Sequence, residues 1–186
     1  MTFVCVKMAG RVNLFQGSKN DKNGVPILSR DVESLPDKQE YVYHIAIGNN
    51  TVRKKYHEDL LRLGLQEVNI IDKSAIIASD CKLGQGNYVG RFAVIDADVI
   101  IGDCNIINTG AIIEHGARLG DCNNVSTGVI LNGDVEFGNE SFAGSSCVVN
   151  GQIRSGDNVI IGSGAVVTKD VQDGLVVVGI PAKPRG

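Results

Sequence analysis

Histidine is the side chain whose ordinary titration falls nearest neutral pH, so it is the first residue type to consider as a general base. The chain has three, His44, His57 and His115. His44 lies in the run YVYHIAI, where β-branched and aromatic residues predict a strand, and it reads as a structural histidine satisfied within a sheet. His57 follows a helical pattern beside Glu58 and Asp59 and reads as a solvated surface residue. His115 is the third residue of a six-residue unit, an outward corner position at which nothing structural calls for an imidazole. It is the candidate base. The repeat region that contains it has no other histidine, which excludes a three-histidine zinc centre there. The cysteines are Cys5, Cys81, Cys104, Cys122 and Cys147. They form no CxxC pair and their number is odd, so they read as buried or half-buried reduced thiols.

The element that must position His115 is a repeat. Stepping by six from Ile71 to Val167 gives seventeen positions, of which all but Ala143 and Ser155 are branched aliphatics or Phe. The next residue is often Gly, as at Gly84, Gly102, Gly120 and Gly138. A six-residue unit is one short strand plus one tight corner, with the bulky residue pointing into a prism. Corners demand positive φ, which Gly and Asn tolerate best, and the recurrent glycines are expected to serve that purpose. Three units make an 18-residue coil, so residues 18 apart stack at about 4.8 Å, the spacing of strands in a sheet. The second inward position must be small. It holds Ala93, Ala111, Ala117 and Ala165, and also Asn87, Asn105 and Asn123, one coil apart. These three asparagines predict an internal ladder in which each side chain bonds the next. Cys104 and Cys122 are stacked neighbours by the same arithmetic. The period does not set the hand of the coil, since parallel crossovers are ordinarily right-handed.

Residues 1–70 follow a different pattern. Residues 41–50 predict a strand ending in a Gly-Asn-Asn turn. A helix follows, with Asn50 as N-cap, Val52, Tyr56, Leu60 and Leu63 as its apolar face and Gly64 as its stop. Upstream, Val12–Phe15 reads as a strand, Lys19–Gly24 as a polar loop and Val25–Leu28 as a further short strand. This is a small α/β unit, a reduced Rossmann-like half. The expected organisation is therefore an α/β domain over 1–70, a β-helix over 71–171 and a tail over 172–186.

The whole chain of 186 residues has a net charge of −3, few aromatics and no Trp, which offers no basic or stacking surface for nucleic acid. No run approaches the roughly 18–20 apolar residues of a membrane span, and the apolar run at Met1–Gly10 is broken by Lys7, too short for a signal-peptide core. A soluble cytoplasmic protein is expected.

Four stretches carry a family resemblance: IAIGNN followed by RKK at 45–55, IIEHGARLGD at 112–121, the unbroken hexapeptides, and VVVGIPAKP at 176–184. With them the chain resembles the sialic acid O-acetyltransferase and UDP-4-amino-sugar N-acetyltransferase family from about residue 12 to the end. The resemblance implies a left-handed parallel β-helix, a homotrimer packed side by side, and transfer of an acetyl group from acetyl-CoA, with no metal, to an amine or hydroxyl of a free or nucleotide-linked sugar. Nothing before Arg11 matches the Gly-rich nucleotide loop with which members begin. Gln16 and Gly17 stand where an acidic pair ends the second strand. The nucleotide-sugar pocket is accordingly incomplete or remodelled, with Gly48 and Asn49 as its remnant.

Acyl transfer from a thioester needs a base, a donor for the oxyanion and a slot that aligns two substrates. In the family's IEH motif His115 is the catalytic residue, with Glu114 beside it. The acid that often follows the histidine in relatives is here Gly116. Asp98 and Asp134, one coil to either side of position 116, and Glu114 are candidates to orient the imidazole; equally, they read as solvated corner acids. The resemblance places Asn124, Gly144, Ser145, Gly162 and Ser163 along the pantetheine arm, the two glycines allowing close approach. Lys183, Arg185 or Lys169 would meet the CoA phosphates, unless they are ordinary surface cations. The Gly-rich LGQGNYVG at 83–90 obeys the hexapeptide register and is not a nucleotide loop. The other class of function on this fold is a non-catalytic trimeric scaffold or binding protein.

Overall fold

A computed structural model of the protein describes residues 3–7, 11–15 and 38–185. The chain divides into two compact units, residues 1–69 and 70–186.

The second unit is a parallel β-helix of about six turns, built from two-residue strands on three faces. Face 1 stacks Ile70–Ile71, Tyr88–Val89, Ile106–Ile107, Asn124–Val125, Phe142–Ala143 and Ile160–Ile161, and is completed by Val176–Val178 and Lys183–Pro184. Face 2 runs from Ile76–Ile77 through Val94–Ile95, Ile112–Ile113, Ile130–Leu131 and Val148–Val149 to Val166–Val167. Face 3 comprises Lys82–Leu83, Ile100–Ile101, Arg118–Leu119, Glu136–Phe137 and Arg154–Ser155. The expected stacking is observed: Ile113 pairs with Ile95 below and Leu131 above, and all three are buried. From Val89 to Val167 the row is stripped of water by the coils on either side, worth about 1.5–3 kcal/mol per fully buried aliphatic side chain, whereas Ile71 in the first coil is exposed. The register holds until Ser155; from there a coil two residues shorter pairs Ile161 with Val177.

Two details of the corners differ from the sequence reading. Positive φ does not fall on the glycine after the bulky residue. It falls two residues later, on side chains as varied as Phe92, Asp98, Cys104, Cys122 and Asp134. The glycine is required by space instead: a Cβ at Gly102 would collide with Asp121 Oδ1. That oxygen is engaged in a ladder of acidic and amide side chains that the repeat pattern alone did not reveal. Asp103 N donates to Asp121 Oδ1 at 2.8 Å, Asp121 N to Asn139 Oδ1 at 2.7 Å, and Asn139 N to Asp157 Oδ1 at 2.6 Å. The internal asparagines also form a ladder, but to backbone rather than side chain to side chain. Asn105 N donates to Asn87 Oδ1, Asn123 N to Asn105 Oδ1 and Ser141 N to Asn123 Oδ1, each at 2.8 Å. The corner turns these N–H groups away from the strand ladders and into the core, where a buried donor must find an acceptor.

In the first unit, β1 (Phe3–Lys7) lies between β2 (Arg11–Phe15) and β3 (Tyr41–Ile45), antiparallel to both. Helix α1 (Asn50–Arg62) connects β3 to β4 (Gln66–Glu67), which pairs parallel with β3. The N-cap is Asn49, whose side chain accepts from Val52 N at 2.9 Å, rather than Asn50. Gly64, with φ +64°, ends the helix as expected: Leu65 N reaches Leu60 O and Gly64 N reaches Leu61 O, a Schellman closure. The buried face is Arg53, His57 and Leu60, with Val52 exposed, because the helix is rotated so that Arg53 and His57 find polar partners inside. The expected loop at Lys19–Gly24, the strand at Val25–Leu28 and the positions of Gln16 and Gly17 lie outside the described residues.

Candidate functional site

His115 sits on the corner between faces 2 and 3, in the turn that links Ile112–Ile113 to Arg118–Leu119. The outward register position leaves its ring exposed, and among the described residues the ring has no hydrogen-bond partner. Two features fix the turn. Gly116 takes φ +69°. The carbonyl of His115 accepts from Asp134 N at 2.9 Å, which ties this corner to the next coil. The ring lies against the backbone of that coil at Gly133: a Cβ there would be 2.7 Å from both Cε1 and Nε2.

The acids proposed to orient the ring do not bond it. Glu114 is half-buried, its backbone N–H given to Leu131 O. The Asp134 carboxylate rests over Gly116, in the space a side chain at that position would fill. Asp98 Nα donates to Asp80 Oδ2 at 3.3 Å. Asp80, Asp98, Asp134 and Glu136 instead line a depression of about 500 Å³ beside the histidine, floored by Gly116 and shared with Lys82 and Arg118.

The positions assigned to the acetyl donor collect elsewhere on the column. Asn124 is an outward residue of face 1; Gly144–Ser145 and Gly162–Ser163 occupy stacked corners between faces 1 and 2. Ser145 and Ser163 are exposed, as are Lys169, Lys183 and Arg185. Within one chain this set and His115 therefore lie on different edges of the prism. The glycines there have a packing reason of their own. A Cβ at Gly144 would be 2.6 Å from Ser163 N, and one at Gly162 would be 2.8 Å from Val178 Cγ1. Gly133 is the site-adjacent residue that the sequence reading passed over; its position 18 residues after His115 was the available signal.

In the first unit Gly48 is exposed with open space around its Cα, while the Asn49 side chain is committed to the helix cap. Buried Arg53 shapes this loop, donating to Ile47 O at 2.9 Å, Gly48 O at 3.2 Å and Asn50 Oδ1 at 2.8 Å. His44 is buried as expected, with Nδ1 3.2 Å from Val68 O; burial, partly offset by that bond, lowers its pKa below the ordinary 6.5. His57 is not solvated. It is 6 % exposed, with Nδ1 2.6 Å from the buried Glu67 Oε2, because its helix face turns inward. Cys81, Cys104, Cys122 and Cys147 are all reduced, and burial pushes the Cys147 thiol up to about 12, which makes it a poor nucleophile.

The architecture places the chain among the hexapeptide-repeat β-helices. Comparison with known proteins narrows this. The family model of the PglD N-terminal domain matches residues 12–60. No curated protein matches the sequence. Among solved structures, the acetyltransferase domain of PglB from Neisseria gonorrhoeae FA1090 is 30% identical with a TM-score of 0.88, covering 91% of this chain and 84% of that one. The same domain in complex with acetyl coenzyme A is 29% identical at a TM-score of 0.82, covering 91% and 83%. A histidine-to-asparagine variant of perosamine N-acetyltransferase from Caulobacter crescentus, in complex with CoA and GDP-perosamine, is 33% identical at a TM-score of 0.81, covering 88% and 79%. The chain belongs to the hexapeptide-repeat sugar acetyltransferases, enzymes that use acetyl-CoA as co-substrate.

Proposed function

We propose that this enzyme acetylates the amine of a nucleotide-linked amino sugar, with His115 as general base. The observation that carries the reading is the exposed imidazole, without a hydrogen-bond partner among the described residues, one residue before the Gly116 that lines an acidic depression. An amine approaches as an ammonium, and four carboxylates against two cations favour its arrival. The ammonium first gives one proton to solvent, which frees the nitrogen lone pair. As that nitrogen bonds to the thioester carbonyl the imidazole takes a second proton; the tetrahedral adduct then collapses, the carbon–sulfur bond breaks and CoA leaves as a thiolate that the imidazolium protonates. Glu114 supports the turn that presents the ring. Asn124, Ser145 and Ser163 are the proposed contacts of the donor arm, with Gly144 and Gly162 keeping their corners narrow and Lys183 meeting a CoA phosphate.

The acceptor relatives supply the nucleotide part of the reading: the perosamine enzyme is described in complex with GDP-perosamine. The parallel pairing of β3 with β4 across α1 supports reading this unit as a reduced Rossmann-like half. Gly48 and Asn49 precede a helix with no acid in its first turn and with Lys54 and Lys55 following, a setting that suits phosphate.

A left-handed β-helix in a homotrimer is part of the same proposal. The outward positions of face 2 are Ile76, Val94, Ile112, Ile130, Val148 and Val166, and face 1 adds Tyr88, Ile106, Phe142 and Ile160. Face 3 presents Lys82, Arg118, Glu136 and Arg154, with Ile100 as its one apolar outward residue. Two apolar faces and one charged face suit a subunit with two like neighbours. Such packing would also supply from a neighbour the donor edge that lies away from His115 in one chain. Among the described residues no helix is long and apolar enough to cross a membrane; the reduced thiols fit the proposed cytoplasmic location.

The test is stabilisation by acetyl-CoA in a thermal melt, followed by thiol release over a panel of nucleotide-linked 4-amino sugars and free sialic acid. Release dependent on a nucleotide-linked amine supports the reading. Release with the free hydroxyl sugar alone moves the acceptor to O-acetylation, and a trimer that ignores acetyl-CoA supports a scaffold.

A further inference from the structure

We propose that Gly133 is a positioning residue for the reaction: its missing side chain is the seat on which the His115 imidazole lies. The inference rests on the role proposed for His115. The three nearest atoms to a Cβ built at Gly133 all belong to that ring, Cε1 and Nε2 at 2.7 Å and Nδ1 at 3.3 Å. Real Cβ atoms do not approach so closely, so any other residue at 133 forces the ring to move. Backbone conformation gives no competing reason for glycine, because Gly133 is not among the positive-φ residues. Its neighbour Asp134, at φ 58°, carries the turn instead.

The seat matters because no side chain among the described residues bonds the ring. The imidazole has no hydrogen bond among the described residues, and the carboxylates beside it lie over Gly116 or along the depression. The bond from Asp134 N to His115 O, 2.9 Å, fixes the two backbones in register, and the ring then lies against the upper one at Gly133. A methyl at 133 pushes the ring outward about χ1 by a distance on the order of 1 Å, enough to misalign a general base by about a hundredfold in rate.

The experiment is a double-mutant cycle of Gly133→Ala and His115→Ala in the full-length protein, reading kcat, KM for acetyl-CoA and the melting temperature. Gly133→Ala is expected to lower kcat about a hundredfold with KM within threefold of native. In the His115→Ala background it is expected to change the residual rate by less than twofold, since the ring it displaces is gone. If Gly133→Ala melts early, the double variant regains the melting temperature of His115→Ala alone, because the clash has been removed. Gly133→Ala at native kcat overturns the inference, as does a loss that appears in KM or persists undiminished without the ring. An active His115→Ala enzyme refutes the general-base reading instead, so the two failures are distinguishable.

Discussion

Substituting Asn105 by Ala should destabilise the β-helix by about 4 kcal/mol. Asn105 is fully buried. Its Oδ1 accepts from Asn123 N at 2.8 Å, and its Nδ2 donates to Gly120 O at 3.0 Å and Asp103 O at 3.1 Å. Asp103 O also accepts from Cys122 N at 2.8 Å and keeps a partner in the variant. The substitution thus removes the bonds to Asn123 N and Gly120 O, at about 1–3 kcal/mol each, and leaves a small cavity worth about 1 kcal/mol more. Chemical denaturation at a fixed protein concentration measures the loss, with the exposed Asn150→Ala as a control expected within about 0.5 kcal/mol of native. A loss below about 1 kcal/mol, or one equal to that of Asn150→Ala, would refute the idea that this column is held by polar bonds from coil to coil.

Two further outcomes follow from buried and exposed rings. His44 is held neutral by burial, so the unfolded chain takes up a proton below the ordinary pKa of 6.5 while the folded one does not. Stability of the first unit should fall as pH drops from about 7 toward 5, and denaturation of His44→Gln over that range should show a shallower slope; a slope equal to native would refute the assignment. Phe92 is 69% exposed with φ 56° on the corner between the two apolar faces, a conformation that costs a bulky residue about 1–2 kcal/mol. Phe92→Asp should convert the proposed trimer to monomer in light scattering; a trimer that persists would move the interface off this edge.

The six-residue beat was legible because it is set by local sterics: a bulky inward residue at each sixth position and a small one four residues later leave few other ways to fold. Asn87, Asn105 and Asn123 were recognisable as stacked for the same reason. Their partners were not, because the direction in which a corner turns its N–H groups is a property of the coil rather than of any one residue. The glycines after the bulky row were misassigned to positive φ because sequence shows only that a side chain is absent, and here the space is taken by Asp121 and its counterparts on neighbouring coils. His57 was misplaced because Glu58 and Asp59 suggest a wet surface, whereas its partner Glu67 lies beyond the helix and comes near only after β4 pairs with β3. Gly133 was overlooked although the 18-residue stack reaches it from His115.

The central claim is that the imidazole of His115 takes the proton from the attacking sugar amine. It is tested most directly by turnover of a nucleotide-linked 4-amino sugar with acetyl-CoA, comparing native protein with His115→Ala across pH 6–9. The account predicts a loss of about 10²–10⁴-fold in kcat, with acetyl-CoA still stabilising the variant against heat. A variant that retains native turnover at pH 7 would contradict it.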